Sequence, residues 1–147
     1  MKIKRIGILI ALALLVVLYF LNRADIVLVR QDKFEIYQLS AEGYELKSLI
    51  HLDNPNLLSS TVETIRQEFR VDGVVIGIFE MELNQGIPGR KETVFPVSIR
   101  FGNDAISSSS PDSSTRNVEV EVKSKIAFHN FIGGGTIQAD QNYSVTR

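Results

Sequence analysis

Tyr44-Glu45-Leu46-Lys47-Ser48-Leu49-Ile50-His51-Leu52-Asp53 decides the fold class of this chain. Tyr44, Leu46, Ser48, Ile50 and Leu52 alternate with Glu45, Lys47, Leu49, His51 and Asp53. In a strand successive side chains leave on opposite faces, so one set meets a core and the other meets water. The same period returns twice. Thr93, Phe95, Val97, Ile99 and Phe101 alternate with Val94, Pro96, Ser98 and Arg100. Val118, Val120, Val122, Ser124, Ile126 and Phe128 alternate with Glu119, Glu121, Lys123, Lys125 and His129. Pro96 cannot donate to a ladder, so it marks an edge or a bulge. From Val74 to Leu83 both faces are largely apolar, as in a more central strand.

Asp72-Gly73 separates two apolar-bearing segments and suits a tight hairpin turn, because both residues tolerate positive φ. The stretch before it is ambiguous. Ser60-x-x-Glu63 resembles a capping box, and Val62, Ile65 and Phe69 fall at helical spacing. A strand would instead place Ile65, Phe69 and Val71 on one face. Since Asp72-Gly73 leads straight into a clear strand, the stretch is assigned to a hairpin arm. Gly102 to Arg116, with Ser107 to Ser110 ahead of Pro111 and Asp112, reads as a loop. About seven strands with turns every 8–15 residues predict an all-β fold. The expected form is an antiparallel sandwich of the fibronectin type III or immunoglobulin-like kind.

At the N-terminus, sixteen uncharged residues run from Ile6 to Leu21 behind Lys2, Lys4 and Arg5, and no acid appears until Asp25. This reads as a transmembrane helix, an uncleaved anchor over residues 1–23 touching the membrane through 6–21, with the sandwich over 24–147. The positive flank places the N-terminus in the cytoplasm and the domain outside it, in the periplasm if the cell is bacterial. The run spans about 24 Å against a hydrocarbon core of about 30 Å. Tyr19 at the interface and snorkelling Lys4, Arg5 and Arg23 extend its reach. A cleaved signal peptide is the competing reading, but Tyr19-Phe20-Leu21-Asn22-Arg23-Ala24 offers no small-x-small pair. A buried helix conflicts with a run that is apolar on every face.

The chain has no cysteine, which excludes disulfides and thiolate zinc sites. All seventeen acidic residues lie beyond position 24 against twelve of the sixteen basic ones, leaving that part about five units negative. Nucleic acid normally requires a basic footprint, and none is present.

The strand beginning at Tyr44 runs out through Leu52-Asp53-Asn54-Pro55-Asn56-Leu57. Pro55 pre-sets φ, Asn56 tolerates a left-handed conformation, and the Asp53 and Asn54 side chains can bond nearby backbone N–H groups. This exit lies about 30 residues beyond an apolar segment. It is followed by the Phe69-Arg70-Val71-Asp72-Gly73 hairpin and a strand beginning near Thr93-Val94-Phe95-Pro96-Val97. That order resembles the water stress and hypersensitive response domain, the type 2 late-embryogenesis-abundant family. The likeness covers roughly Phe34 to Phe101 and is looser beyond. It implies a fibronectin III-like sandwich with one helix, and an association with desiccation, cold or other stress. Asn54, Pro55 and Asn56 carry over as a structural signature only. The helix that family members often carry after the strand matching Thr93–Phe101 falls here on the Ser-rich loop, a poor helix former.

Other candidates are weak. His51 and His129 fall on predicted wet faces; with Asp53 they could hold a metal, but nothing brings them together, so no metal or cofactor is assigned. Gly133-Gly134-Gly135 lacks the strand–loop–helix context of a phosphate cradle and reads as a flexible connection. Glu80 and Glu82 share a face without a cleft and read as solvated charges. No Ser has a placed base, so no catalytic residue and no small-molecule substrate are expected. Asn142-Tyr143-Ser144 fits a glycosylation acceptor, a tripeptide common by chance.

The resulting expectation is a membrane-anchored, non-enzymatic protein that protects stress-labile proteins or the membrane. Its rival is an envelope binding module that docks a specific partner by adding a strand to an exposed edge.

Overall fold

A computed structural model of the chain describes residues 2–40, 43–71, 73–102 and 117–146. One helix, α1 (Lys2–Leu21), precedes seven strands: β1 (Val27–Ser40), β2 (Gly43–Asn54), β3 (Ser60–Val71), β4 (Val74–Ile87), β5 (Lys91–Gly102), β6 (Asn117–His129) and β7 (Gly134–Thr146). All pair antiparallel, in a three-stranded sheet of order β1-β2-β5 and a four-stranded sheet of order β4-β3-β6-β7. The mainly-β expectation therefore holds, but β4, whose two apolar faces suggested a more central strand, lies at the edge of its sheet. The Ser-rich loop and the possible family helix after β5 lie outside the described residues, as does Asp72.

Period two becomes layering. Leu46, Ile50 and Leu52 from β2 and Phe95, Val97, Ile99 and Phe101 from β5 turn inward. They meet Ile65, Phe69 and Val71 from β3 and Val120, Val122, Ile126 and Phe128 from β6. Fully burying one such side chain contributes about 1.5–3 kcal/mol, and without disulfides this face-to-face packing carries the fold.

The helical spacing of Val62, Ile65 and Phe69 has a physical origin. The β3 register slips between Val62 and Thr64 against both β4 and β6. An inserted residue lets Val62 and Ile65, three apart, both face inward, which mimics a helical stripe. Beyond that bulge β3 joins β4 across Gly73, whose φ of 82° suits an L-residue poorly.

Polar residues interrupt the apolar face at one level. Gln31 Nε2 donates to Ser48 Oγ at 2.7 Å and to Gln67 Oε1 at 3.2 Å. In return Gln67 Nε2 donates to Gln31 Oε1 at 2.7 Å and to Ser124 Oγ at 2.8 Å. All four residues are buried, and together they bridge the two sheets. Gln67→Leu should cost about 1–3 kcal/mol, because it leaves the buried Gln31 Oε1 without its donor in an apolar layer. The double variant Gln31→Leu/Gln67→Leu should be more stable than the sum of the two single changes implies. Urea denaturation of the three variants measures this coupling.

The membrane expectation is overturned. Among the described residues no helix is long and apolar enough to cross a membrane. The apolar run is simply short for the task, at about 24 Å against about 30 Å. The helix end is also built into the sandwich. Leu57 N donates to Leu21 O at 3.2 Å, and Leu58 N donates to Asn22 Oδ1 at 2.7 Å. The single-pass topology and the extracytoplasmic placement that rested on it fall together.

Candidate functional site

The Asn-Pro-Asn exit forms a dense polar node. Asn54 and Asn56 are buried while Pro55 stands exposed at the tip. Asn54 Nδ2 donates to Leu58 O at 3.0 Å and Ile87 O at 2.9 Å, and its Oδ1 accepts from Asn56 N at 3.1 Å and Ser60 Oγ at 3.2 Å. An amide supplies two donors at one end and an acceptor at the other, and here both ends are fully used. Asn56 clasps the Ala24 backbone, donating from Nδ2 to its carbonyl at 2.8 Å and accepting from its N–H at 3.0 Å. Arg90 N closes the assembly, donating to Asn54 O at 2.8 Å and Asn56 O at 2.9 Å. Four chain segments meet there: the end of α1, the entry to β1, the β2–β3 turn and the β4–β5 turn. Its hydrogen bonds tie these four segments to one another.

Asn22, absent from the sequence-based candidates, belongs to the node: it is buried, with Nδ2 donating to Leu18 O at 2.7 Å. Nothing local distinguishes it, since its partners on the β2–β3 turn arrive only on folding. Gln67, Ser48 and Ser124 did leave a signal. Each is a polar residue at an inward position of an alternating strand.

His51 lies on the outer face of its sheet as expected, yet it is buried. Its neighbours on β1 and β5 cover it. His51 Nδ1 lies 2.5 Å from Glu92 Oε1, and Nε2 lies 3.1 Å from Asp32 Oδ1. Arg30 reaches Asp32 at 3.0 Å and Glu92 at 3.6 Å. The cluster is a three-strand charge clamp. Partial desolvation pushes the Asp32 carboxyl up, but the hydrogen bond and charge of His51, then of Arg30, outweigh it and hold it below its usual value. A depressed carboxyl means the unfolded chain binds more protons in acid, so stability falls as pH drops. The contribution is present above pH 3.8, the usual carboxyl value, and is lost as pH falls through the lower folded one. Asp32→Asn should therefore lower the thermal midpoint at pH 7, and the gap to the parent should narrow in acid. Thermal melts at several pH values check this.

The remaining candidates separate. His129, on β6, is exposed and lies 2.9 Å from Glu63 Oε1, on the sheet opposite to His51. No group of three His, Cys, Asp or Glu able to hold a metal occurs among the described residues. Glu80 and Glu82 are exposed on β4, with Glu80 3.7 Å from Arg66. Gly134 and Gly135 belong to β7 rather than to a loose connection. A Cβ on Gly135 would stand 2.8 Å from the Phe128 ring, so packing explains that glycine without a phosphate. Asn142 and Ser144 are exposed on β7.

A cleft of about 460 Å³ opens beside β2, lined by Lys33 and Glu35, Lys47, Ser48 and Leu49, Phe79 and Met81, and Pro96, Val97 and Ser98. Its volume lies in the range of small-molecule sites. Its hydroxyls are committed elsewhere. Ser48 Oγ accepts from Gln31, and Ser98 Oγ donates to Glu45 Oε1 at 2.8 Å. The Ser98 bond, followed by Lys47, holds the Glu45 carboxyl below its usual value, which makes it a poor general base. The cleft can accommodate an apolar group; it presents no activated nucleophile.

No family model matches the sequence, and no curated protein matches it. Solved structures do. The fold is similar to an Arabidopsis thaliana protein, AT1g01470, at a TM-score of 0.69 and 12% identity over 84% of this chain and 85% of that one. It is similar to At2g46140.1, a protein assigned to the late embryogenesis abundant (LEA) class, at 0.64 and 13% over 84% and 70%. A crystal structure of an Archaeoglobus fulgidus protein aligns at 0.57 and 12% over 82% and 98%. At these identities the likeness establishes the fold, and the fold is the one the late-embryogenesis-abundant resemblance implied.

Proposed function

We propose that this chain is a non-enzymatic, stress-protective protein whose folded β-sandwich shields labile proteins as water is withdrawn. The observation that carries the reading is the fold shared with a protein of the LEA class over most of both chains. Two features support it. The core, apolar side chains around one fully bonded polar layer, depends on no disulfide. The cleft and the charge clamp engage their hydroxyls, imidazole and carboxylates in mutual bonds, an arrangement suited to a stable body rather than to bond making. Such a body keeps its shape and its hydrated polar faces between client molecules that would otherwise meet through exposed apolar surface.

The full-length chain, added before drying or freeze–thaw, should preserve more activity of a labile enzyme than an equal mass of albumin does. Equal preservation by the two would remove the proposal. The rival reading, docking by strand addition, is favoured by one observation: β7 presents an edge that no described strand pairs with.

A further inference from the structure

The two sheets have four outer strands, β1, β5, β4 and β7. Unpaired edges template association with other chains, and proteins blunt them with bulges, kinks, proline or charge. Three of the four carry such devices. The β1 ladder slips in three places and includes Lys33 at a φ of 53°. The β4 ladder slips twice and includes Asn84 at a φ of 46°. β5 has Pro96 on its course. β7 has none. Its pairing with β6 runs without interruption from Asn117↔Thr146 to His129↔Gly134. Over Gly134–Thr146 it has no proline, and Asp140 is its one charged residue. A long, regular and nearly uncharged edge is the kind that is covered when the protein is at work.

We propose that the outer edge of β7 is a docking surface for a second copy of this chain, joined antiparallel about a two-fold axis at Gln141. Side-chain complementarity selects that occupant and that register. A two-fold at the middle of the strand would oppose the Asp140 carboxylate to itself. One position further on, Asp140 faces the partner's Asn142, a carboxylate opposite an amide donor. Gln138 then faces the partner's Ser144. On the core side Tyr143 stays packed on Phe34 of its own copy, ring centroids 4.3 Å apart, and leaves the small Ala139 opposite it uncrowded. Ala139, Gln141 and Tyr143 are half-buried on the core side, while Gln138, Asp140, Asn142 and Ser144 are exposed on the other. The exposed face of the strand therefore finds matched neighbours in this register, and the core face meets no clash of like charges. The contact is isologous and closes on itself, so it forms a dimer and no fibre. Each four-stranded sheet would continue into that of the other copy.

The absence of cysteine makes the test direct. It uses the full-length chain in a mild non-ionic detergent, so that the exposed apolar side chains of α1 do not contribute contacts. Directly opposed residues have Cα atoms about 4.5–5.5 Å apart, within disulfide reach. Q141C should thus form a disulfide-linked dimer under mild oxidation. Q138C alone should not, since its own copy stands about 20 Å away along the ladder. Mixed Q138C and S144C chains should crosslink. Q138D/S144D, at exposed sites, should lower dimer formation by opposing like charges, and Q138K/S144D should restore it. Circular dichroism confirms that each variant is folded. Crosslinking of Q141C no greater than that of E82C on the blunted β4 edge overturns the proposal, as does crosslinking indifferent to the charge pairs. Protection of an enzyme through drying is scored separately, so loss of either result leaves the other standing.

Discussion

Asn54→Asp is expected to lower the free energy of unfolding by about 3–5 kcal/mol at neutral pH, a large share of the roughly 5–15 kcal/mol typical of a domain. The exchange keeps shape and volume and alters only the hydrogen-bond chemistry. At present the side-chain amide donates to the Leu58 and Ile87 carbonyls in a fully buried setting. A carboxylate there would aim a charged oxygen at two carbonyl oxygens with no cation beside it. Burial and those acceptors would raise the folded pKa of the introduced carboxyl well above its unfolded value. The folded state would then bind the proton more readily, so this variant should regain stability as pH falls, because a protonated carboxyl can donate one hydrogen bond. The sign is opposite to that of Asp32. Urea denaturation at neutral and mildly acidic pH measures both effects. A pH-independent loss would show that the amide donors do not hold the node together.

Gly89→Ala should be at least as damaging as ordinary overpacking, which costs about 1–3 kcal/mol. A Cβ at this position would lie 2.1 Å from Leu57 O, 2.5 Å from Leu57 C and 2.9 Å from Asn56 O. All three are backbone atoms of the turn that carries the node, so no side-chain rotation relieves the clash. The β4–β5 turn must move away, and it takes Arg90 N off Asn54 O and Asn56 O. Gly86→Ala is the control, since nothing lies within 4 Å of its added Cβ. It should be neutral or slightly stabilising through lost freedom of the unfolded chain. Thermal melts of the two variants should differ by many degrees. Equal midpoints would mean that the turn is not wedged against Leu57.

Several elements were legible because their signal is local. The alternation in Tyr44–Asp53 and Thr93–Phe101 appears as β2 and β5, paired residue for residue from Gly43↔Gly102 to Asn54↔Lys91. The β3 assignment survived a misleading pattern, since one inserted residue at the Val62/Thr64 slip imitates helical spacing. The membrane reading failed where a length argument was stretched by snorkelling side chains. An apolar segment can equally end in bonds to its own domain, and Asn22 and Leu57 make those bonds.

Residue order and the alternation of apolar with polar side chains, by themselves, determined that this is an antiparallel two-sheet body with a turn at Asn54-Pro55-Asn56. A strand's faces depend only on neighbours one or two positions away, so they can be read along the chain. Only the tertiary structure decided that Asn22, Ala24, Asn56 and Arg90 converge, that His51 is buried between Asp32 and Glu92, and that β7 keeps a clean edge. Those are relations between residues 19 or more positions apart or between whole strands. They come into being when the sheets close on each other, and no local period records them.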